Sequence, residues 1–144
     1  MDKRRTQQLL EQLESISVKE ELSNFIAEHR LDSGSLRFYE YFEQSFSEKG
    51  LSKSEVVKDS LISRTYAYQI LEGRKHPSRD KVIAFCLAAR MDLEQVQRAL
   101  SLSGNGELYS RSKRDAILIF AVNNRLDVMT ANELLYEMEE NALA

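Results

Sequence analysis

Apolar side chains recur every three to four residues along most of the chain, and no segment alternates apolar and polar residues for long. This spacing places apolar residues on one face of a helix and predicts an all-α protein. The predicted helices cover residues 3–13, 17–29, 35–49, 53–60, 64–72, 79–89, 93–102, 112–124 and 131–139. Their apolar faces indicate several helices packed on a common core.

Three of these helices have the clearest apolar faces. The predicted core residues are Leu36, Phe42 and Phe46 in the third helix, Val82, Ile83, Phe85, Cys86 and Ala89 in the sixth, and Ile117, Phe120 and Ala121 in the eighth. Aromatic residues can also form a platform on which bases stack, but at helical spacing they usually pack in a core. We therefore interpret these positions as core.

Local signals mark where helices begin and end. Three segments match a capping box, in which the first and fourth residues satisfy each other's backbone N–H groups. They start at Ser17, Ser52 and Thr130. Gly50, Gly73 and Gly104 each follow a helical pattern, where a left-handed residue typically closes the last turn.

Two short helices, 53–60 and 64–72, are separated by three residues, which is the spacing of a helix-turn-helix. Val56, Val57, Ile62, Ala67 and Ile70 would then face inward. The residues left facing outward are Arg64, Thr65, Tyr68 and Gln69. These side chains suit DNA, because Arg can bond guanine, Gln can bond adenine, and Thr and Tyr can contact phosphate or a thymine methyl group.

Charge is unevenly distributed along the 144 residues. The net charge is −3, but residues 63–90 carry +4, whereas residues 1–62 carry −3 and residues 91–144 carry −4. A basic island of this kind is an electrostatic footprint for phosphate, although many basic patches are only solvated surface. Arg111, Lys113 and Arg114 either extend this footprint or are surface charges.

Composition excludes several other classes of protein. The longest apolar run, "AILIFAV", is too short to span a membrane, so we expect no membrane association. The single cysteine, Cys86, cannot form an internal disulfide, which favours the cytoplasm. No zinc-ligand spacing, phosphate loop or nucleophile motif is present, and we expect no enzyme activity, no cofactor and no metal.

The stretch "LSKSEVVKDSLISRTYAYQILEGRKHPSRDKVIAFCLAARMDLEQV" resembles the XRE family, the Cro/CI or lambda-repressor-like helix-turn-helix regulators of bacteria. The resemblance implies a lambda-repressor-like bundle with extra N- and C-terminal helices. The length of 144 residues suits one domain, so residues 1–144 are expected to form a single helical domain. Within that domain, residues 1–34 form an N-terminal extension, 35–103 the DNA-binding core and 104–144 a C-terminal helical segment.

The resemblance also implies which residues would contact duplex DNA. Base readout would fall to Ser63, Arg64, Thr65, Tyr68 and Gln69. Phosphate contacts would come from Lys53, Arg74, Lys75, Ser78 and Arg79. Family members usually bind palindromic sites as two-fold dimers, so a homodimer is expected. The C-terminal helices are the natural place for the dimer contact.

One position departs from the family pattern. The turn usually holds glycine in a left-handed conformation, whereas this chain has Leu61, and a left-handed non-glycine residue costs roughly 1–2 kcal/mol. Two hypotheses follow. The chain is a sequence-specific DNA-binding transcriptional regulator that acts as an operator-binding repressor, or it is an antitoxin-like or inhibitory protein-interaction module on the same scaffold, with weak or no DNA binding. The basic island favours the first, and the acidic flanks and Leu61 favour the second.

Overall fold

The computed structural model describes residues 3–29 and 36–144, and the described residues are helical, with no strand among them. The predicted all-α class is therefore confirmed. The helices are α1 Lys3–Glu14, α2 Lys19–His29, α3 Phe38–Glu48, α4 Lys53–Ser60, α5 Arg64–Leu71, α6 Arg79–Ala88, α7 Leu93–Leu102, α8 Lys113–Asn123 and α9 Val128–Glu137.

The chain divides into two compact units, residues 1–36 and residues 37–144. In the first unit, α1 ends in a turn where the Ser15 hydroxyl donates to the Gln12 carbonyl over 2.7 Å. α2 begins at Lys19, one residue later than the capping box at Ser17 predicts. The assignment of the whole chain to one domain stays a prediction.

Helix α6 lies at the centre of the second unit. Residues 82–89 are all buried, because α6 packs against α4, α7 and α9. Three aromatic rings complete this core: the rings of Phe42 and Phe46 stack 5.5 Å apart, and Phe85 lies 5.7 Å from Phe42. The predicted core residues of the sixth helix are therefore confirmed.

Two core predictions need correction. Leu36 precedes α3 and is only partly buried, while Phe38, one helical turn before Phe42, takes the buried place. Phe120 is 53% exposed, and Leu118 and Val122 are buried instead. Helix α8 carries apolar residues around much of its circumference, so spacing alone does not identify its inner face.

Left-handed residues end most helices of the second unit. Gly50, Gly73 and Gly104 have positive φ, as predicted, and Arg90 and Arg125 share this conformation. After each arginine, the N–H of the next residue donates to the carbonyl five residues back, the pattern of a Schellman motif.

An aspartate then starts the following helix at both arginine-terminated ends. Asp92 accepts from the Gln95 N–H and Asp127 accepts from the Thr130 N–H, each over 2.8 Å. The predicted capping box at Thr130 is therefore wrong, because α9 begins three residues before Ala131, at Val128. The cap at Ser52 is confirmed, since its hydroxyl accepts from the Glu55 N–H.

Candidate nucleic-acid interface

Helices α4 and α5 pack against each other across a three-residue connection, Leu61 to Ser63. The residues predicted to face inward do so: Val56, Val57, Ala67 and Ile70 are buried and Ile62 is half-buried. The Ser60 hydroxyl donates to the Val57 carbonyl and accepts from the Ile62 N–H, which fixes the turn. Leu61 adopts the left-handed conformation with φ of 63°.

The first turn of α5 is open to solvent. Ser63 occupies the N-cap position, but its hydroxyl makes no capping hydrogen bond, unlike those of Ser52 and Ser78. Ser63, Arg64 and Thr65 are all exposed. The hydroxyl of Ser63, the guanidinium of Arg64 and the hydroxyl of Thr65 are therefore all exposed at the start of this helix.

Arg64 lies over the ring of Tyr68, with 5.8 Å between the guanidinium carbon and the ring centroid. Tyr68 is half-buried and packs on the core, so it provides a fixed surface under a long side chain. Arg64 has no carboxylate partner among the described residues. Its charge is therefore oriented by the ring but not neutralised.

Gln69 connects α5 to the basic loop that follows. Its carbonyl accepts from the backbone N–H groups of Arg74 and Lys75 over 2.9 and 3.2 Å, and its side chain is half-buried. Gly73, between them, has φ of 81°, and a Cβ there would lie 2.5–2.9 Å from ring carbons of Tyr39. Only glycine fits both the backbone conformation and this close approach.

The loop is anchored on its inner side as well. The His76 ring lies 6.0 Å from that of Phe38 in an edge-on arrangement, and Pro77 is fully buried. The Asn105 side chain donates to the Pro77 carbonyl over 3.5 Å. The basic side chains thus project from a loop whose backbone is held in place.

Those side chains differ in their partners. Arg74 is exposed, and its Nε donates to a carboxylate oxygen of Glu72 over 2.9 Å. Lys75 is exposed, and its ammonium has no polar partner in the part of the chain that the structure describes. Ser78 caps α6 by accepting from the Lys81 N–H, and Lys53 begins α4 half-buried.

Lys81 joins this surface, although the sequence motifs did not single it out. Lys81 is on the first turn of α6, and its ammonium lies 5.6 Å from the centroid of the Tyr66 ring. Lys81, Tyr66 and Ser63 line one cavity of about 330 Å³ beside the turn. The only sequence signal was its place inside the basic island.

Arg79 has a structural role. Its guanidinium donates to both carboxylate oxygens of Asp115, over 2.9 and 2.7 Å, and to the carbonyls of Gly106 and Glu107 over 2.9 and 3.0 Å. Asp115 is buried, and the bonds from Arg79 and from the Tyr109 N–H hold its pKa below the usual range. The N–H groups that Arg79 would offer to a phosphate are therefore largely occupied.

A second arginine forms a similar link. Arg114 donates to both oxygens of Asp80 over 3.0 Å and to the carbonyls of Asn141 and Ala142. Lys113 donates to the Met138 carbonyl over 2.7 Å. The sequence left open whether this basic cluster extends the phosphate footprint or consists of surface charges. Lys113 and Arg114 instead make intramolecular contacts, while Arg111 is exposed.

The described residues provide none of three further features: a reactive thiol, a metal site or a membrane-spanning helix. Cys86 is fully buried, and burial raises the pKa of its thiol far above the ordinary value, so it is a core residue as predicted. Within the described ranges, no cluster of His, Cys, Asp and Glu is suited to a metal ion. None of the described helices is long and apolar enough to cross a membrane.

No family model, curated protein or solved structure matches the chain. A functional assignment therefore depends on the geometry and charge of this surface.

Proposed function

We propose that the chain binds duplex DNA sequence-specifically and acts as an operator-binding transcriptional repressor. The observation that carries the proposal is the outward face of α5, where Arg64 lies ordered over Tyr68 and unpaired within the described residues. An oriented but unneutralised guanidinium at the start of a short exposed helix suits bidentate bonding to guanine in the major groove.

The arrangement of the helices supports a lambda-repressor-like fold. In this interpretation α3 to α7 form the DNA-binding core, α4 and α5 are its helix-turn-helix, and α5 is the recognition helix. The left-handed Leu61 occupies the position where such turns usually hold glycine. The resemblance to the bacterial XRE family rests on the same segment.

Base and phosphate contacts are assigned to different residues. Ser63, Arg64, Thr65 and Gln69 would contact base edges, with Tyr68 supporting Arg64. Phosphate contacts would come from Lys53, Arg74, Lys75 and Ser78, with Lys81 added. Arg79 is left out of this set because its guanidinium already binds Asp115 and two carbonyl groups.

The test begins by selecting a preferred site from a random duplex library and measuring affinity by fluorescence anisotropy. Arg64→Ala should weaken the preferred site by roughly 1–3 kcal/mol and relax its sequence, while binding to random duplex changes less. Lys75→Ala should weaken both duplexes about equally and reduce the slope of log affinity against log salt by about one.

Lys58→Ala is the matched control, since Lys58 is an exposed lysine in the last turn of α4 to which the proposal assigns no DNA contact. It removes the same charge and should change neither affinity nor salt slope by a comparable amount. Equally weak binding of every variant to every duplex at physiological salt would reject the proposal.

The active species is proposed to be a homodimer on a palindromic site, because one module of this size makes few base contacts. Sedimentation of the protein with the selected duplex should show two copies per duplex. A single copy on a selected site that lacks two-fold symmetry would contradict this part of the proposal.

The second candidate function is protein binding without DNA binding. It is favoured by an exposed apolar and acidic surface on α9, where phosphate would be repelled. Failure of the selection to enrich any duplex would favour this candidate.

A further inference from the structure

A shallow groove of about 530 Å³ lies between the α4–α5 turn and α9. It is lined by Leu61, Met129, Asn132, Glu133, Tyr136 and Glu137. Three of these are large apolar or aromatic side chains with high exposure: Leu61 is 56% exposed, Met129 59% and Tyr136 83%. Clustered apolar exposure of this kind marks a contact surface more often than scattered single residues do.

Helix α9 has two distinct faces. Val128, Ala131 and Leu135 are buried and pack on the core. Met129, Glu133 and Tyr136 follow each other at spacings of four and three residues, so they form one stripe on the outer side. The helix therefore packs on the core through one apolar face, and its second face is exposed and takes no part in the core.

Leu61 provides independent support for a contact. It is the one apolar residue among the four described non-glycine residues with positive φ. Glycine or asparagine would adopt this backbone conformation at a lower free-energy cost. Because the Leu61 side chain is exposed, its burial in the core does little to offset that cost. A strained and exposed leucine at the edge of the groove is better explained by a partner than by the fold.

Charge identifies the kind of partner. Residues 126–144 contain five Asp or Glu residues and no Lys or Arg. Glu133 and Glu137 are exposed at the groove and form no ion pair among the described residues. Phosphate would be repelled here, whereas a cationic segment with its own apolar stripe would match both the carboxylates and the apolar side chains.

We infer that this groove binds a basic amphipathic helix of a partner protein. The apolar stripe of that helix lies on Leu61, Met129 and Tyr136, and its Lys or Arg residues face Glu133 and Glu137. This inference goes beyond the proposed DNA binding and does not depend on it.

The test uses a synthetic helix of leucine and lysine at helical spacing with one tryptophan, whose fluorescence reports binding to the intact chain at physiological salt. A peptide of the same composition, scrambled so that the leucines share no face, is the probe control. The amphipathic peptide should bind with micromolar affinity and the scrambled one at least about tenfold more weakly.

Variants of the chain locate the site. Tyr136→Ala should weaken binding of the amphipathic peptide by about tenfold or more. The double change Glu133→Lys with Glu137→Lys, made separately, should weaken it by a similar factor. Leu61→Asn should also weaken it while leaving the unfolding temperature unchanged or raised, which separates lost contact from lost folding.

Two matched controls should bind the peptide like the unaltered chain. Glu43→Lys with Glu48→Lys reverses two charges on α3, where an acidic surface lacks exposed large apolar residues. Phe120→Ala removes an exposed aromatic ring outside the groove.

Equal binding of both peptides, no binding at micromolar concentration, or no effect of the groove variants would overturn the inference. Self-association of the chain that Tyr136→Ala abolishes would instead assign the groove to a second copy, and would also overturn it. Loss of DNA binding in Arg64→Ala with peptide binding intact would show that the two surfaces act separately.

Discussion

Arg64 and Arg79 have the same side chain and lie in the same basic island, yet their surroundings give them different roles. Arg79 binds Asp115, which is distant in sequence, whereas Arg64 stacks on Tyr68 four residues away. The contact between Arg64 and Tyr68 follows from helical spacing, so the outward position of Arg64 was predictable. The contact between Arg79 and Asp115 depends on how α6 and α8 pack, which the periodicity of apolar residues does not reveal.

Replacing Arg79 should therefore affect stability directly. Arg79→Ala would leave Asp115 buried without its charge partner, and we expect a loss of roughly 2–4 kcal/mol in the free energy of unfolding. Urea denaturation checks this. Lys75→Ala, at an exposed residue, should cost less than about 0.5 kcal/mol. Similar losses for the two variants would contradict the structural role of Arg79.

Acid should weaken the same contacts. Arg79 lowers the pKa of Asp115. At Asp80, burial works to raise the pKa, but bonds from Arg114 and the Ala144 N–H outweigh it and lower the pKa. Because both folded pKa values lie below the unfolded value of about 3.9, the stabilisation is complete above that pH and is lost as pH falls through the folded values.

Urea midpoints measured from pH 6 down through the folded pKa values of these two carboxyl groups should therefore fall with pH. The variant Asp115→Asn should flatten this fall, and Asp59→Asn, at an exposed carboxylate of α4, should leave it unchanged. A midpoint in the unaltered chain that does not change with pH would contradict the assignment.

At the scale of elements, most helix bounds could be predicted because caps and stops are local. Ser52 caps α4, and Gly50 and Gly73 end α3 and α5, at the positions that the sequence predicts. The errors came where two local signals compete or where one signal is ambiguous. Asp127 and Thr130 can both cap a helix, and the apolar run of α8 offers more than one inner face.

Gly73 and Gly50 provide a paired test of these helix ends. Both have positive φ, but a Cβ at Gly73 would meet the Tyr39 ring, whereas a Cβ at Gly50 would meet nothing within 4 Å. Gly50→Ala should cost roughly 1 kcal/mol from backbone strain alone, and Gly73→Ala should cost more, about 2–4 kcal/mol. Equal losses in urea denaturation would show that Tyr39 moves aside freely.

At the scale of the whole molecule, the all-α class and the pairing of α4 with α5 were predictable, because each rests on short-range patterns. The roles of Arg79, Arg114 and Lys81 were not, since their partners come from distant segments or are backbone carbonyls. The groove on α9 was not predictable from the sequence for a related reason. An apolar stripe in sequence predicts burial, and only packing shows that Met129 and Tyr136 remain outside.

The second unit should fold alone. Its buried cluster runs from Phe38 to Leu135 and lies entirely within residues 37–144. A fragment of residues 37–144 should show the helical circular dichroism expected of α3 to α9 and a single cooperative thermal transition. A broad, non-cooperative transition would contradict the division into two units.

The most direct test of DNA binding is a ¹H–¹⁵N correlation spectrum of the chain, recorded while the selected duplex is added at physiological salt. The proposed function predicts the largest shift changes at Ser63, Arg64 and Thr65 and in the loop at Lys75. Changes concentrated on α9 with none on α5, or none anywhere at saturating duplex, would contradict it.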